Sequence, residues 1–224
     1  MNVDNDFSED YADPDADCYR EEQALGWRLP QGDVPEITLR DFVAGLTGSR
    51  RTGSPVYARD KSANTDVLTL IAAGLDDLPA RIEAIADAAG YEGAFHISQS
   101  PERIPAFFGG GCLSARDLAR FGLLLAREGR AVFGNDVGDT GFLRASMTRP
   151  ALLLEPKRGK VRYANHLMTN GRWIGHGGYG GQFLMADMQF GRVAASLSVL
   201  ENDAGYEEDC MVEVIAGLDE VCRR

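Results

Sequence analysis

The sequence predicts an α+β fold, in which a helical first part gives way to antiparallel strands and a closing helix. Two changes of pattern carry this. Apolar residues recur at helical spacing up to about residue 147, the period shifts to two after about Leu152, and a helical stripe returns from about Tyr206. The division that follows is an acidic loop or arm over 1–36 and a domain over 37–224. Within the domain, the helical part covers about 37–147, and the sheet with its terminal helix about 148–224.

The elements follow in chain order. Thr38-Leu-Arg-Asp41 reads as a capping-box start, with Phe42, Val43 and Leu46 behind it. Gly48 to Pro55 is polar and punctuated by Gly and Pro, hence loop. Val67, Leu68, Ile71 and Leu75 form an apolar face entered through Ser62-Ala-Asn64. Pro79 suits a first helical position, with Ile82, Ile85 and Ala86 inward and Gly90 as the stop. After the triple glycine 109–111, Ser114-Ala-Arg-Asp117 starts a helix with Leu118, Phe121, Leu124 and Leu125 as its buried stripe. Residues 182–187 and 192–200 alternate as strands joined near Phe190-Gly191, with Val193, Ala195, Leu197 and Val199 on one face. Met211, Val214, Ile215 and Leu218 mark the inner side of the last helix.

The chain has 224 residues, 44% hydrophobic and 25% charged, which is ordinary globular composition with enough length to bury a core. Its net charge is -11, and residues 1–22 alone hold nine acids against Arg20, so the rest is nearly balanced. That acidity argues against a nucleic-acid grip, which needs clustered Lys and Arg. No run of about 18 apolar residues is present, so no membrane span is expected. Cys18, Cys112, Cys210 and Cys222 are widely spaced, without a C-x-x-C, and read as free thiols. No signal peptide is visible at Met1, and the cytoplasm is then the default compartment.

Two motifs have competing readings. Gly175-His-Gly-Gly-Tyr-Gly180 matches G-x-G-x-x-G, but a dinucleotide site needs a helix next, and Gln182-Phe-Leu-Met is strand-like. Small residues that let a ligand approach a strand explain it better, and no cofactor is expected. Ser62 or Asn64 can simply cap the following helix, or can present a polar group at a site, since helix N-termini often face sites. His96, His166 and His176 make no ligand pair, so no metal is expected. His96 and His166 read as structural or surface residues. His176, flanked by glycines with little to pack against, is open to either reading.

Together these segments resemble the serine β-lactamase-like hydrolases, in the branch of class C β-lactamases and 6-aminohexanoate-oligomer hydrolases. Phe7-Ser-Glu-Asp-Tyr-Ala-Asp-Pro14 and Ala24-Leu-Gly-Trp27 are similar to the segment those proteins carry after their nucleophile region. Ser62-Ala-Asn64 resembles the second motif, Gly109 to Gly122 the Gly-rich turn and Ala-Arg-Phe-Gly helix, and His176-Gly-Gly178 the third motif on the sheet edge. The resemblance implies a β-lactamase/transpeptidase-like fold and an acyl-enzyme reaction on a small ester, amide or lactam. It also implies second-motif roles for Ser62 and Asn64 and a third motif of His176, Gly177 and Gly178. Tyr179 would lend its N–H to an oxyanion.

Two departures matter. No serine here has a lysine three residues on, so the family's Ser-x-x-Lys nucleophile is absent, and its expected place is upstream of Met1. The tyrosine that the amide-hydrolase branch often carries two residues before the second-motif serine is replaced by Asp60, the nearest tyrosine being Tyr57. The expectation is therefore a partial domain lacking N-terminal strands and the nucleophile helix, inactive when isolated, with exposed strand edges prone to self-association. A non-catalytic binding protein derived from this fold is the alternative. A carboxylate acid/base pair is a third reading, for which Asp60 beside Lys61 is the candidate.

Overall fold

The computed structural model describes residues 5–10, 13, 15–30, 35–48, 56–58, 60–154, 158–199 and 208–224. The loop expected over 48–55 lies almost wholly outside them. The chain folds as two compact units. The first comprises 1–54, 61–81 and 96–112, the second 55–60, 82–95 and 113–224. This partition differs from the expected arm over 1–36 and domain over 37–224.

The first unit contains α1 (Asp17–Ala24), α2 (Leu39–Ala44), α3 (Ser62–Ala73) and the two-stranded ribbon β1 (His96–Ile97) and β2 (Gly111–Cys112). Described residues of the acidic segment contribute to this unit's core. Phe7, Cys18, Ala24 and Leu25 are buried with Leu39, Phe42 and Ile104 in one core, and Phe7 meets Phe42 edge to face at 6.1 Å. Helical spacing turns Cys18, Glu21 and Ala24 inward, so the surrounding acids stay wet while the segment still contributes apolar surface. Thr38 caps α2 as expected, accepting from the Asp41 N–H at 3.0 Å.

Helix α3 corrects two expectations. It begins at Ser62 with Lys61 as N-cap and no side-chain cap bond, so neither Ser62 nor Asn64 caps it. Its inner stripe is Ser62, Ala63, Asp66 and Thr69, whereas Ile71 and Leu75 are 45% and 82% exposed. The helical period holds but its phase is turned, because the inward groups are polar.

The unit boundary falls within α4 (Leu78–Ala89), after which Gly90 turns with φ +73°. The second unit is built on a five-stranded antiparallel meander: β3 (Arg162–Ala164), β4 (Leu167–Thr169), β5 (Trp173–Gly178), β6 (Gln182–Asp187) and β7 (Arg192–Ser196). α5 (Ala115–Ala126) and α6 (Thr140–Thr148) cover one face, where Ile174, Ala186 and Val193 meet Ala126 and Leu143. α7 (Glu208–Arg223) covers the other, where Met211, Val214, Ile215 and Leu218 pack on Trp173, Phe183 and Met185. Ser114 caps α5, accepting from Asp117 N–H at 3.1 Å. β7 ends at Ser196, so Leu197 and Val199 lie beyond the strand, Val199 being 99% exposed. Gly122 lets α5 lie against the sheet: a Cβ there would come within 2.4 Å of Val193 Cγ1. None of the described helices is long and apolar enough to cross a membrane.

Candidate active site

In the second unit, the β5 strand carries His176 beside three glycines. Gly175 is obligatory for the sheet itself, since a Cβ would stand 2.1 Å from the Leu184 carbonyl oxygen of β6. β5 is followed by strand β6, so no helix N-terminus is available for a pyrophosphate at this glycine pattern. β4 pairs with β5 only at Ile174 and Gly175, whereas β6 pairs along its whole length. The His176–Gly178 stretch is thus a local sheet edge on its β4 side, although β5 is a central strand.

Three side chains converge here. Asp60 Oδ2 lies 3.1 Å from His176 Nε2. The Tyr163 hydroxyl donates to Asp60 Oδ1 at 2.8 Å and lies 3.2 Å from the same Nε2. His176 Nδ1 is 2.6 Å from the Gly177 carbonyl, which can only accept, so Nδ1 carries a proton. Burial opposes charging the His176 ring, but the hydrogen bond and charge of Asp60 outweigh it and raise the imidazole above its ordinary value. Burial likewise pushes Asp60 up, yet the His176 bond and charge and the Tyr163 hydroxyl hold it below the usual carboxylate range. Both side chains remain 38% exposed, so the pair is reachable from solvent. It can orient an imidazole and favour its protonated form, which is what a general acid requires.

Around it, His166 sits in the two-residue β3–β4 turn, where Asn165 and His166 both have positive φ (53° and 59°). Its ring is 6.3 Å from that of Tyr163, and burial lowers its pKa, Asp60 pulling it up and His176 pushing it down. Tyr57 and Tyr179 are both exposed, and Gln182 Nε2 donates to the Tyr179 carbonyl at 3.2 Å. Gly178 pairs with Gln182 at the end of the β5–β6 ladder.

Ser62 and Asn64 belong to the first unit, in a polar cluster of their own. The Ser62 hydroxyl is 2.7 Å from Glu21 Oε2 and 3.1 Å from Glu9 Oε1, and a hydroxyl with one proton can serve only one of them. Asn64 Oδ1 accepts from Asn5 Nδ2 at 3.0 Å, and Lys61 Nζ donates to the Asn5 carbonyl. Glu21 and Asp66 are buried. Burial raises both carboxyls, Glu21 further through the charge of Asp66, so the pair retains a proton that ordinary carboxyls would lose. Among the described residues, no group of three or more His, Cys, Asp or Glu is arranged to hold a metal ion.

The structure therefore unites Asp60 with His176 and adds Tyr163, which no sequence motif marks. Only strand register reveals it: Tyr163 pairs with Met168, and Met168 with Gly175, the neighbour of His176. The buried Glu21–Asp66 pair has no sequence signal either, since Glu21 stands in an acidic run that reads as solvated.

No protein-family model matches the chain. The chain is 31% identical over 147 residues to the 6-aminohexanoate-dimer hydrolase of Paenarthrobacter ureafaciens, a match covering 61% of this chain and 35% of the relative. It thus spans about a third of that relative's length. A Bacillus anthracis structure, provisionally assigned as a 6-aminohexanoate-dimer hydrolase, shares the fold with TM-score 0.73 at 16% identity, over 98% of this chain and 60% of the other. The matched sequence and the common α+β architecture support the relationship to the serine β-lactamase-like hydrolases, in their 6-aminohexanoate-oligomer hydrolase branch.

Proposed function

We propose that the chain carries the second- and third-motif part of a serine hydrolase that cleaves a small amide or ester through an acyl-enzyme. The nucleophile would stand on polypeptide outside these 224 residues, since no Ser-x-x-Lys occurs within them. The observation that carries this reading is Asp60 paired with His176 of the third-motif strand, an oriented imidazole at a local sheet edge. In this reading the lysine of the absent Ser-x-x-Lys would take the nucleophile's proton, the protonated His176 gives its own to the leaving group, Asp60 orients the ring and favours its protonated form, and the Tyr179 N–H donates to the developing oxyanion. Gly177 and Gly178 keep the strand open to the substrate backbone. The relay is assigned to His176 because the Ser62 hydroxyl is already donated within the buried carboxyl cluster.

The test is a nitrophenyl ester assay on two proteins. The 224-residue chain alone is expected to show no turnover, and a longer form with an in-frame Ser-x-x-Lys is expected to be active and to lose kcat on His176→Gln. Turnover by the chain alone, abolished by a Ser62 or His176 substitution, would refute the assignment. A non-catalytic binding protein is the second reading, favoured by Asp60 standing where the related branch often has tyrosine. Coding sequence without any upstream Ser-x-x-Lys, and a native protein that no fluorophosphonate labels, would establish it instead.

A further inference from the structure

A groove of about 560 Å³ in the second unit is lined by Arg116 and Arg120 of α5, Arg192 of β7, and an apolar floor that includes Leu123, Val193 and Val221. Its volume is that of a small-ligand site. In a chain with net charge -11, three guanidiniums around one groove are a local reversal of sign. Their partners are too few. Arg116 and Arg120 share Glu92, the first at 3.7 Å, and Arg120 Nη1 lies 3.6 Å from Asp117 Oδ1. That Nη1 is buried and makes no hydrogen bond. Arg192 has no carboxylate partner among the described residues: it donates to the Cys222 carbonyl at 3.2 Å and lies 5.6 Å from the Phe190 ring.

A guanidinium presents five donors in a planar fork suited to carboxylate or phosphate oxygens, and here Arg192 donates to a single carbonyl while Arg116 is 77% exposed at its side chain. α5 meets the sheet closely at Gly122, against the lining residue Val193. We propose that this groove binds a small organic anion, a carboxylate or phosphate monoester on a short aliphatic chain. The headgroup takes the remaining donors of Arg116 and Arg192, and the chain lies on Leu123, Val193 and Val221. Glu92 is the intramolecular competitor for Arg116 and Arg120. This site is independent of the hydrolase reading and does not involve His176.

The test titrates the whole chain with sodium hexanoate and with hexyl phosphate, using hexylammonium chloride and inorganic phosphate as controls, by calorimetry or amide chemical shifts. Saturable binding of at least one hexyl anion is expected, weakened by added salt, with none for hexylammonium. The tighter of the two anions identifies the headgroup. Arg192→Gln is expected to weaken binding by about tenfold, the loss of one charge-assisted pair, and Glu92→Gln to strengthen it several-fold. Arg116, which is 77% exposed at its side chain, offers a second variant, Arg116→Gln, with little risk to folding. Absence of saturable binding, unchanged affinity in both arginine variants, or inorganic phosphate binding as tightly as hexyl phosphate would overturn the proposal.

Discussion

Asp60 and His176 form an ion pair at 3.1 Å in which the imidazole has an acceptor on each side, Asp60 on Nε2 and the Gly177 carbonyl on Nδ1 at 2.6 Å. Only the doubly protonated ring satisfies both acceptors, which is why the charged form is favoured despite burial. Asp60→Asn should therefore lower the His176 pKa, measured by titrating its imidazole C–H resonances. An unchanged titration in Asp60→Asn would show that the pair does not control the ring.

The same pair sets a pH window. Asp60 is lowered in the folded state, so its contribution is present above the ordinary aspartate value and is lost as pH falls through the folded one. His176 is raised, so its contribution is complete below the ordinary histidine value and is lost as pH rises through the folded one. The pair should stabilise the second unit most between about pH 4 and 6.5. Urea denaturation of wild type and Asp60→Asn across pH 3–9 should converge at both extremes and differ in that window.

Tyr163 holds this arrangement through its hydroxyl, which donates to Asp60 at 2.8 Å. Tyr163→Phe keeps the ring's edge contact with His176 but removes that donor. A loss of about 0.5–1 kcal/mol is expected, below what a buried charged acceptor would give because Asp60 is partly exposed. Asp60 should then titrate higher. A purely structural tyrosine would change stability without moving either titration.

These residues show what a sequence discloses and what it withholds. Thr38 with Asp41, and Ser114 with Asp117, are legible because capping is decided within four residues. So are the β6–β7 hairpin and the inner stripe of α7, whose periods are strong and local. The phase of α3 is not legible, because the side facing inward is Ser62, Asp66 and Thr69, and hydrophobic pattern points to the other side. The burial of Glu21 is hidden by its acidic neighbours, whose count argues for water. Tyr163 reaches the site through the register of two hairpins, a long-range fact that no spacing encodes. His176 and Asp60 each stand out in the sequence, but nothing in their spacing predicts that they touch.

The Glu21–Asp66 pair gives a prediction of opposite sign for the first unit. Both carboxyls are raised, Glu21 by burial and then by Asp66, so the native state keeps a proton that the unfolded chain releases above the ordinary glutamate value. Stability from this pair is therefore fullest in acid and falls as pH rises. Glu21→Gln retains an acceptor for Ser62 and removes the charge. It should match wild type near pH 4 and exceed it by about 1–3 kcal/mol at pH 8, where the wild-type native state must still hold a proton that its unfolded chain has released. Equal pH dependence in the two proteins would mean that the buried pair is not protonated.

Arg172 makes the sharpest stability prediction. It precedes β5 and forms ion pairs with Asp187 at the end of β6 and Asp219 of α7. Asp187 is fully buried; its Oδ1 already accepts from the N–H groups of Gln189 and Phe190 at 2.9 and 3.0 Å, leaving Oδ2 to the guanidinium. Removing the arginine leaves a buried carboxylate with only those two donors, so Arg172→Ala should cost about 3–5 kcal/mol in urea denaturation. Asp219→Asn should cost far less, about 1 kcal/mol, because Asp219 is 21% exposed at its side chain and its loss leaves Arg172 paired with Asp187. Arg172→Lys keeps a charge but cannot serve two carboxylates with a planar fork, and should fall between the two. If Arg172→Ala costs no more than Asp219→Asn, the α7 contact rather than the buried carboxylate sets the energy.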